Sequence, residues 1–212
     1  MVILVFALPE EARVVRRRIR WHQPPVDVPR GSFAGQEVSL AFVGISAVRI
    51  GELERSIDEV KPRMIISSGF AGGTRSLLEA GDFILSTNYT DADIAKALRQ
   101  HETIFDAAGP FVQVERVASA ADKWSLNRSQ GACAVDMESK KIADLCRRKG
   151  ISLVTARMIS DAIDEAIPAV FTQQKVSRLS DLRGAASFAA RMLQLTGKLA
   201  DRLEALVKAC RD

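Results

Sequence analysis

Three acidic positions stand just past short apolar runs. Glu10 and Glu11 follow 2–8, Asp136 and Glu138 flank Met137 after 132–135, and Asp161 follows 151–160. A fourth run, 64–67, leads into the glycine-rich "SGFAGG" at 68–73. Carboxylates of this kind can take a proton, give one, or stabilise a developing cation. A glycine turn can offer backbone N–H groups to an anion or a polarised water. A single carboxylate at a strand end is often only a helix cap. Carboxylates after three separate strands, beside such a turn, favour an acid/base site.

Other chemistries have little to stand on. His22 and His101 are the two histidines, and no serine lies in a GxSxG elbow. Neither GxxxxGK[ST] nor a GxGxxG after the first strand occurs, which removes the usual kinase and dehydrogenase signatures. Cys133, Cys146 and Cys210 form no CxxC pair and no Cys/His cluster at metal spacing, so no metal and no cofactor are expected.

These residues need an α/β frame to position them. The strand expectations are 2–8, 33–44 (a pair or one bent strand), 64–73 running into the glycine turn, 81–89, 111–119, 132–137 and 151–160. Helices are expected from Pro9 with Glu10 and Glu11 in the first turn, over 45–60, 91–105, from about 120, over 138–150 with Gly150 as its stop, and over 182–209 with a break near Gly197. Alternating strands and helices imply a mixed central sheet flanked by helices on both faces. In such sheets ligands sit outside the carboxyl ends of the strands, where the acidic positions fall.

The 212 residues suit one domain across 1–212, with 47% hydrophobic and 26% charged residues. Net charge is +4, and much of it lies in "RVVRRRIR" at 13–20. Without interleaved aromatics this reads as a solvated helix face rather than a nucleic-acid surface. The start lacks a basic n-region, and no run reaches membrane-spanning length; with the odd cysteine count, a reduced cytoplasmic protein is expected.

The ordered set "FALPEEA", "SSGFAGG" with "LEAGDFILS", "AVDMES" and "RMISDAIDE", spread over 1–172, resembles the nucleoside phosphorylase and nucleosidase family. Within it the chain is similar to methylthioadenosine/adenosylhomocysteine nucleosidases, and in "GACAVDMES" and the "IP" at 167–168 to hopanoid-associated phosphorylases. The resemblance implies cleavage of an N-ribosyl bond in a purine nucleoside, such as a 5′-modified adenosine. It gives Asp161 the role of acid at purine N7 and Glu11 that of base toward water. Glu138 would hold the ribose 2′- and 3′-hydroxyls, with Met137 against the sugar. Ser160 and Arg157 would position the acid, Phe171 would cover the base, and Gly72 and Gly73 would line the turn behind the nucleophile. It also implies a homodimer or higher homo-oligomer; Phe188, Met192, Leu193 and Leu195 could form that interface or pack on the chain's own sheet.

The departures bear on the nucleophile and the base. Asp136 stands where nucleosidases have Glu. Phe70 replaces a small polar residue, making a tighter, drier pocket. The stretch before "AVDME" is shortened and reads "ASAADKW", with Trp124 as a substitute for the relatives' base-stacking aromatic or simply a core or surface residue. Ser67 occupies the place of an arginine that many phosphorylases carry; Arg30, Arg49 and Arg75 are the other cations considered for phosphate. Hydrolysis leads. Phosphorolysis, including that of a hopanoid-linked adenosine, and nucleoside binding without turnover remain the alternatives.

Overall fold

The computed structural model describes residues 1–22, 29–101, 103–168 and 179–211. Its framework is a mixed sheet in which β1 (Val2–Phe6) lies between β4 (Gln36–Phe42) and β5 (Met64–Ser67), parallel to both. Every residue of β1 is buried, as a continuous apolar run demands. Val2, Leu4 and Phe6 face one core cluster; Ile3 and Val5 face the other. The period of two thus serves both faces of the sheet.

Helix α1 (Arg13–Arg18) and α6 (Leu179–Ala209) cover the first face, while α2 (Ile50–Val60) and α5 (Ser139–Lys149) cover the second. On α6 the buried positions Leu195, Leu199, Leu203 and Leu206 recur at three- and four-residue spacing. The arginines at 13, 16, 17, 18 and 20 are exposed. Beyond β4, β3 (Arg30–Phe33) and β2 (Arg20–Trp21) complete one antiparallel edge.

β11 (Ser152–Asp161) organises the other side. Its first half runs parallel to β5, and its second half parallel to β6 (Phe70–Gly73). On its opposite edge it pairs antiparallel with β7 (Phe83–Ser86), which in turn pairs in parallel with β8 (Ala107–Gly109). β6 in turn pairs with β10 (Ala134–Asp136), and β10 with β9 (Phe111–Gln113). The segment 64–73 is therefore one edge alongside β11, interrupted at Ser68–Gly69, where the sheet divides.

Several boundaries differ from expectation for identifiable reasons. Residues 9–12 form turns, and α1 begins only at Arg13, so Glu10 and Glu11 are not in its first turn. The Glu11 side chain is bonded back to the chain before Pro9, which leaves it no role in the helix. Phe70–Gly73 is a strand rather than a turn, because β10 and β11 supply partners for its backbone on both sides. α6 passes through Gly197 without a break, since neighbouring Leu195 and Leu199 are both anchored in the core. Residues 91–105 shorten to α3 (Ala92–Leu98), and 111–119 to β9; β8 was not anticipated. α4 (Ala120–Gln130) starts on a capping box between Ser119 and Asp122. Gly150 caps α5 with φ 64°.

Phe188 and Leu195 are buried and Met192 is partly buried against the core, so of the four apolar residues considered for an interface only Leu193 is exposed. Truncating fully buried Leu203 to Ala should cost about 2–5 kcal/mol. Leu193→Ala should change stability by no more than about 0.5 kcal/mol. Urea unfolding of the two variants checks the contrast; equal losses would contradict the packing described.

Candidate functional site

The site is built along β11. Arg157, 2% exposed, points its Nη2 at Asp136 Oδ2 (3.0 Å), Ser67 Oγ (3.1 Å) and Ser139 Oγ (3.1 Å). Asp136, at the end of β10, also accepts from the Ser139 N–H at 3.2 Å and from the Ser139 hydroxyl, fixing the first turn of α5. A buried guanidinium and carboxylate are thus satisfied mutually, as burial of charge requires.

Glu138 is 7% exposed, and its Oε1 accepts the Ser46 N–H at 2.9 Å. Ser46 comes from a loop with backbone in the left-handed region at Ser46 (φ 54°) and Ala47 (φ 52°). Non-glycine residues adopt that region at a cost, and such strain tends to collect where a loop must present a group. Lys141 Nζ donates to the Ser46 carbonyl at 3.0 Å, holding the loop onto α5. Burial pushes the Glu138 carboxyl up to about 7, and the Asp136 charge adds to the rise. Arg157 and the Ser46 N–H oppose it, and Glu11 adds a smaller upward push.

Glu11 Oε2 accepts from the N–H groups of Ala7 (2.9 Å) and Leu8 (3.0 Å). Its carboxyl lies under the Ser68–Gly69 break, where a Cβ on Gly69 would come within 3.1 Å of Oε1. Gly69 has φ 135°, so both its conformation and its contact exclude a side chain. Burial raises the Glu11 carboxyl above its usual range, against the lowering influence of the Leu8 N–H, Arg157 and the Phe70 N–H. Glu11, Glu138 and Arg157 therefore feel one another's charge and form one cluster.

Asp161 lies four residues beyond Arg157 on the same strand, about 13 Å on at ~3.3 Å per residue. The register slips between Ile159 and Asp161, a bulge that leaves Ser160 unpaired. Ser160 Oγ, with the Ala71 carbonyl 3.2 Å away, donates to Asp161 Oδ1 at 2.5 Å. Asp161 Oδ2 pairs with Lys123 Nζ. Gly72 packs against this pair, with a Cβ there falling 3.1 Å from Lys123 Cε and 3.2 Å from Asp161 Oδ2. The glycine-rich strand thus touches Glu11 at one end and Asp161 at the other.

Sequence reasoning missed Lys123 and Ser46. Lys123 is 1% exposed on α4, a helix whose polar composition hides any inward face; its neighbour Trp124 is 41% exposed beneath Arg128. Met137 and Phe70 are partly buried, the latter packed on the core. Among the described residues Arg157 reaches Asp136, Ser67 and Ser139. Phe171 lies outside the described residues. His22 and His101 are exposed. Among the described residues no group of three or more His, Cys, Asp or Glu is arranged to hold a metal ion, and no helix is long and apolar enough to cross a membrane.

A cavity of about 320 Å³ lined by Arg16, Trp21, Pro29, Leu40 and Phe42, and one of about 190 Å³ beside Tyr89 and Cys146, involve none of the clustered carboxylates.

A family model described as the phosphorylase superfamily matches residues 2–121 and 107–195. Among solved structures, an S-adenosylhomocysteine nucleosidase from Streptococcus pyogenes with 5-methylthiotubericidin is 18% identical, with TM-score 0.75, covering 98% of this chain and 95% of that one. A 5′-methylthioadenosine/S-adenosylhomocysteine nucleosidase from Neisseria meningitidis with methylthio-immucillin-A is 20% identical, with TM-score 0.76 and 98% of both chains covered. The futalosine hydrolase of Helicobacter pylori is 18% identical, with TM-score 0.74, covering 97% and 96%.

The raised Glu138 carboxyl has a consequence for stability. The native state holds its proton up to about pH 7, whereas the unfolded chain releases it near 4.5. Its contribution is therefore fully present below pH 4.5 and is lost as pH rises through 7. The difference corresponds to about 3 kcal/mol at 1.36 kcal/mol per pH unit. Denaturant unfolding should show stability falling across that window, and Glu138→Gln should flatten the fall; an unchanged slope would contradict the environment described.

Proposed function

The chain belongs to the phosphorylase superfamily, and on that footing we propose that it hydrolyses the N-ribosyl bond of a purine nucleoside, a 5′-modified adenosine in particular. The observation that carries this is the Glu11–Glu138–Arg157 cluster with Asp161 farther along the same strand, the glycine-rich strand touching both ends. Breaking a C–N glycosidic bond builds positive charge on the ribose and negative charge on the departing base. Glu138, ionised above about pH 7, would stabilise the first, and a proton delivered through Asp161 would neutralise the second. Glu11, whose raised carboxyl makes it a better base than an ordinary glutamate, would take the proton of the attacking water.

Water is favoured over phosphate by the charge inventory. A phosphate dianion needs free cationic or N–H donors. Arg157, the buried cation beside Ser67, is already committed to Asp136. The structural relatives reported above are named as nucleosidases and a hydrolase, which agrees with this reading.

Purified protein incubated with adenosine, methylthioadenosine, inosine and futalosine, with and without phosphate, should release free base without phosphate. Asp161→Asn should lower kcat by about 10²–10⁴-fold with ligand binding largely kept, and Glu11→Gln should lower it as well. Release only with phosphate would make the enzyme a phosphorylase. Melting shifts without release would make it a nucleoside-binding protein, and unchanged kcat in Asp161→Asn would remove that residue from the mechanism.

A further inference from the structure

Lys123 is the one side chain buried from α4, and its ammonium hydrogens are accounted for. One goes to Asp161 Oδ2, one to the Ala162 carbonyl at 2.7 Å and one to the Glu165 carbonyl at 2.8 Å. Asp161 is equally committed, because its second oxygen accepts from Ser160. A carboxylate whose two oxygens both accept has no proton of its own to give. Two donors face it, the Ser160 hydroxyl and the Lys123 ammonium, and the ammonium is much the stronger acid.

We propose that Lys123 is a positioning residue that acts through Asp161, supplying the proton that Asp161 passes to the departing base. This rests on the nucleoside hydrolysis set out above. As the C1′–N9 bond breaks, its electron pair leaves with the base. An N–H bond of Lys123 breaks and an O–H bond forms on Asp161, whose proton moves to a base ring nitrogen. Base leaves neutral, Asp161 is again a carboxylate, and Lys123 is left as a neutral amine. The attacking water forms its bond to C1′ and gives a proton to Glu11. Exchange with solvent then returns one proton from Glu11 to water and one from water to Lys123. Ammonium chemistry suits this because a lysine can surrender its proton, whereas an arginine in proteins does not.

The test compares Lys123→Arg and Lys123→Met with wild type on a purine nucleoside and on p-nitrophenyl riboside, whose leaving group needs no protonation. The arginine variant keeps a cation beside Asp161 and guards against a folding failure of the methionine variant. Both should lose about 10²-fold or more in kcat on the purine nucleoside, with p-nitrophenyl riboside cleavage within a few-fold of wild type. In wild type, raising the pH beyond the range in which Glu11 and Glu138 lose their protons should slow purine release while leaving p-nitrophenyl riboside cleavage unaffected. Near wild-type purine turnover in Lys123→Arg, equal losses on both substrates, or parallel pH profiles would overturn the role of Lys123 and leave hydrolysis standing. Absence of base release by wild type would overturn both.

Discussion

The pairing of Arg157 with Asp136 constrains the whole assembly. Both are buried, and a lone charge there would cost several kcal/mol, about 3–5 if one partner were removed. Satisfying them requires β10, the first turn of α5, the end of β5 and the middle of β11 to meet at one point. The same guanidinium then tempers the rise of the Glu11 and Glu138 carboxyls, both pushed up chiefly by burial. Packing and electrostatics are here one requirement.

A second buried ion pair, Lys123 with Asp161, lies at the far end of β11, and the bulge near Ser160 separates the two. In a regular strand Ser160 and Asp161 would point to opposite faces. The register slip allows their side chains to bond instead, so local irregularity in β11 sets the surroundings of the acid. Two buried ion pairs thus lie along one strand, one on each side of its irregularity.

Much of this frame was legible in the residues. The runs at 2–8, 64–73 and 151–160 marked buried strands, the second of them proving to be two, and the stop at Gly150 was read correctly because a helix end there needs left-handed backbone. The acidic positions after those runs were visible as well. What escaped depended on tertiary partners. Lys123 sits among polar residues on α4 and looks like a surface lysine until Asp161 is brought to it. Ser46 acts through its backbone N–H, which no side-chain motif reports. Phe70–Gly73 carries glycines that signal a turn, yet β10 and β11 make it a strand. The continuity of α6 through Gly197 likewise follows from core contacts rather than local propensity.

A crystal structure with a non-hydrolysable purine nucleoside analogue puts the central claim to its most direct test. The account predicts one bound molecule with its ribose hydroxyls within about 3.2 Å of Glu138 and a base nitrogen within that reach of the Asp161 carboxyl. A ligand bound away from β11, or one touching Glu138 while Asp161 stays closed on Lys123 out of reach, would contradict it.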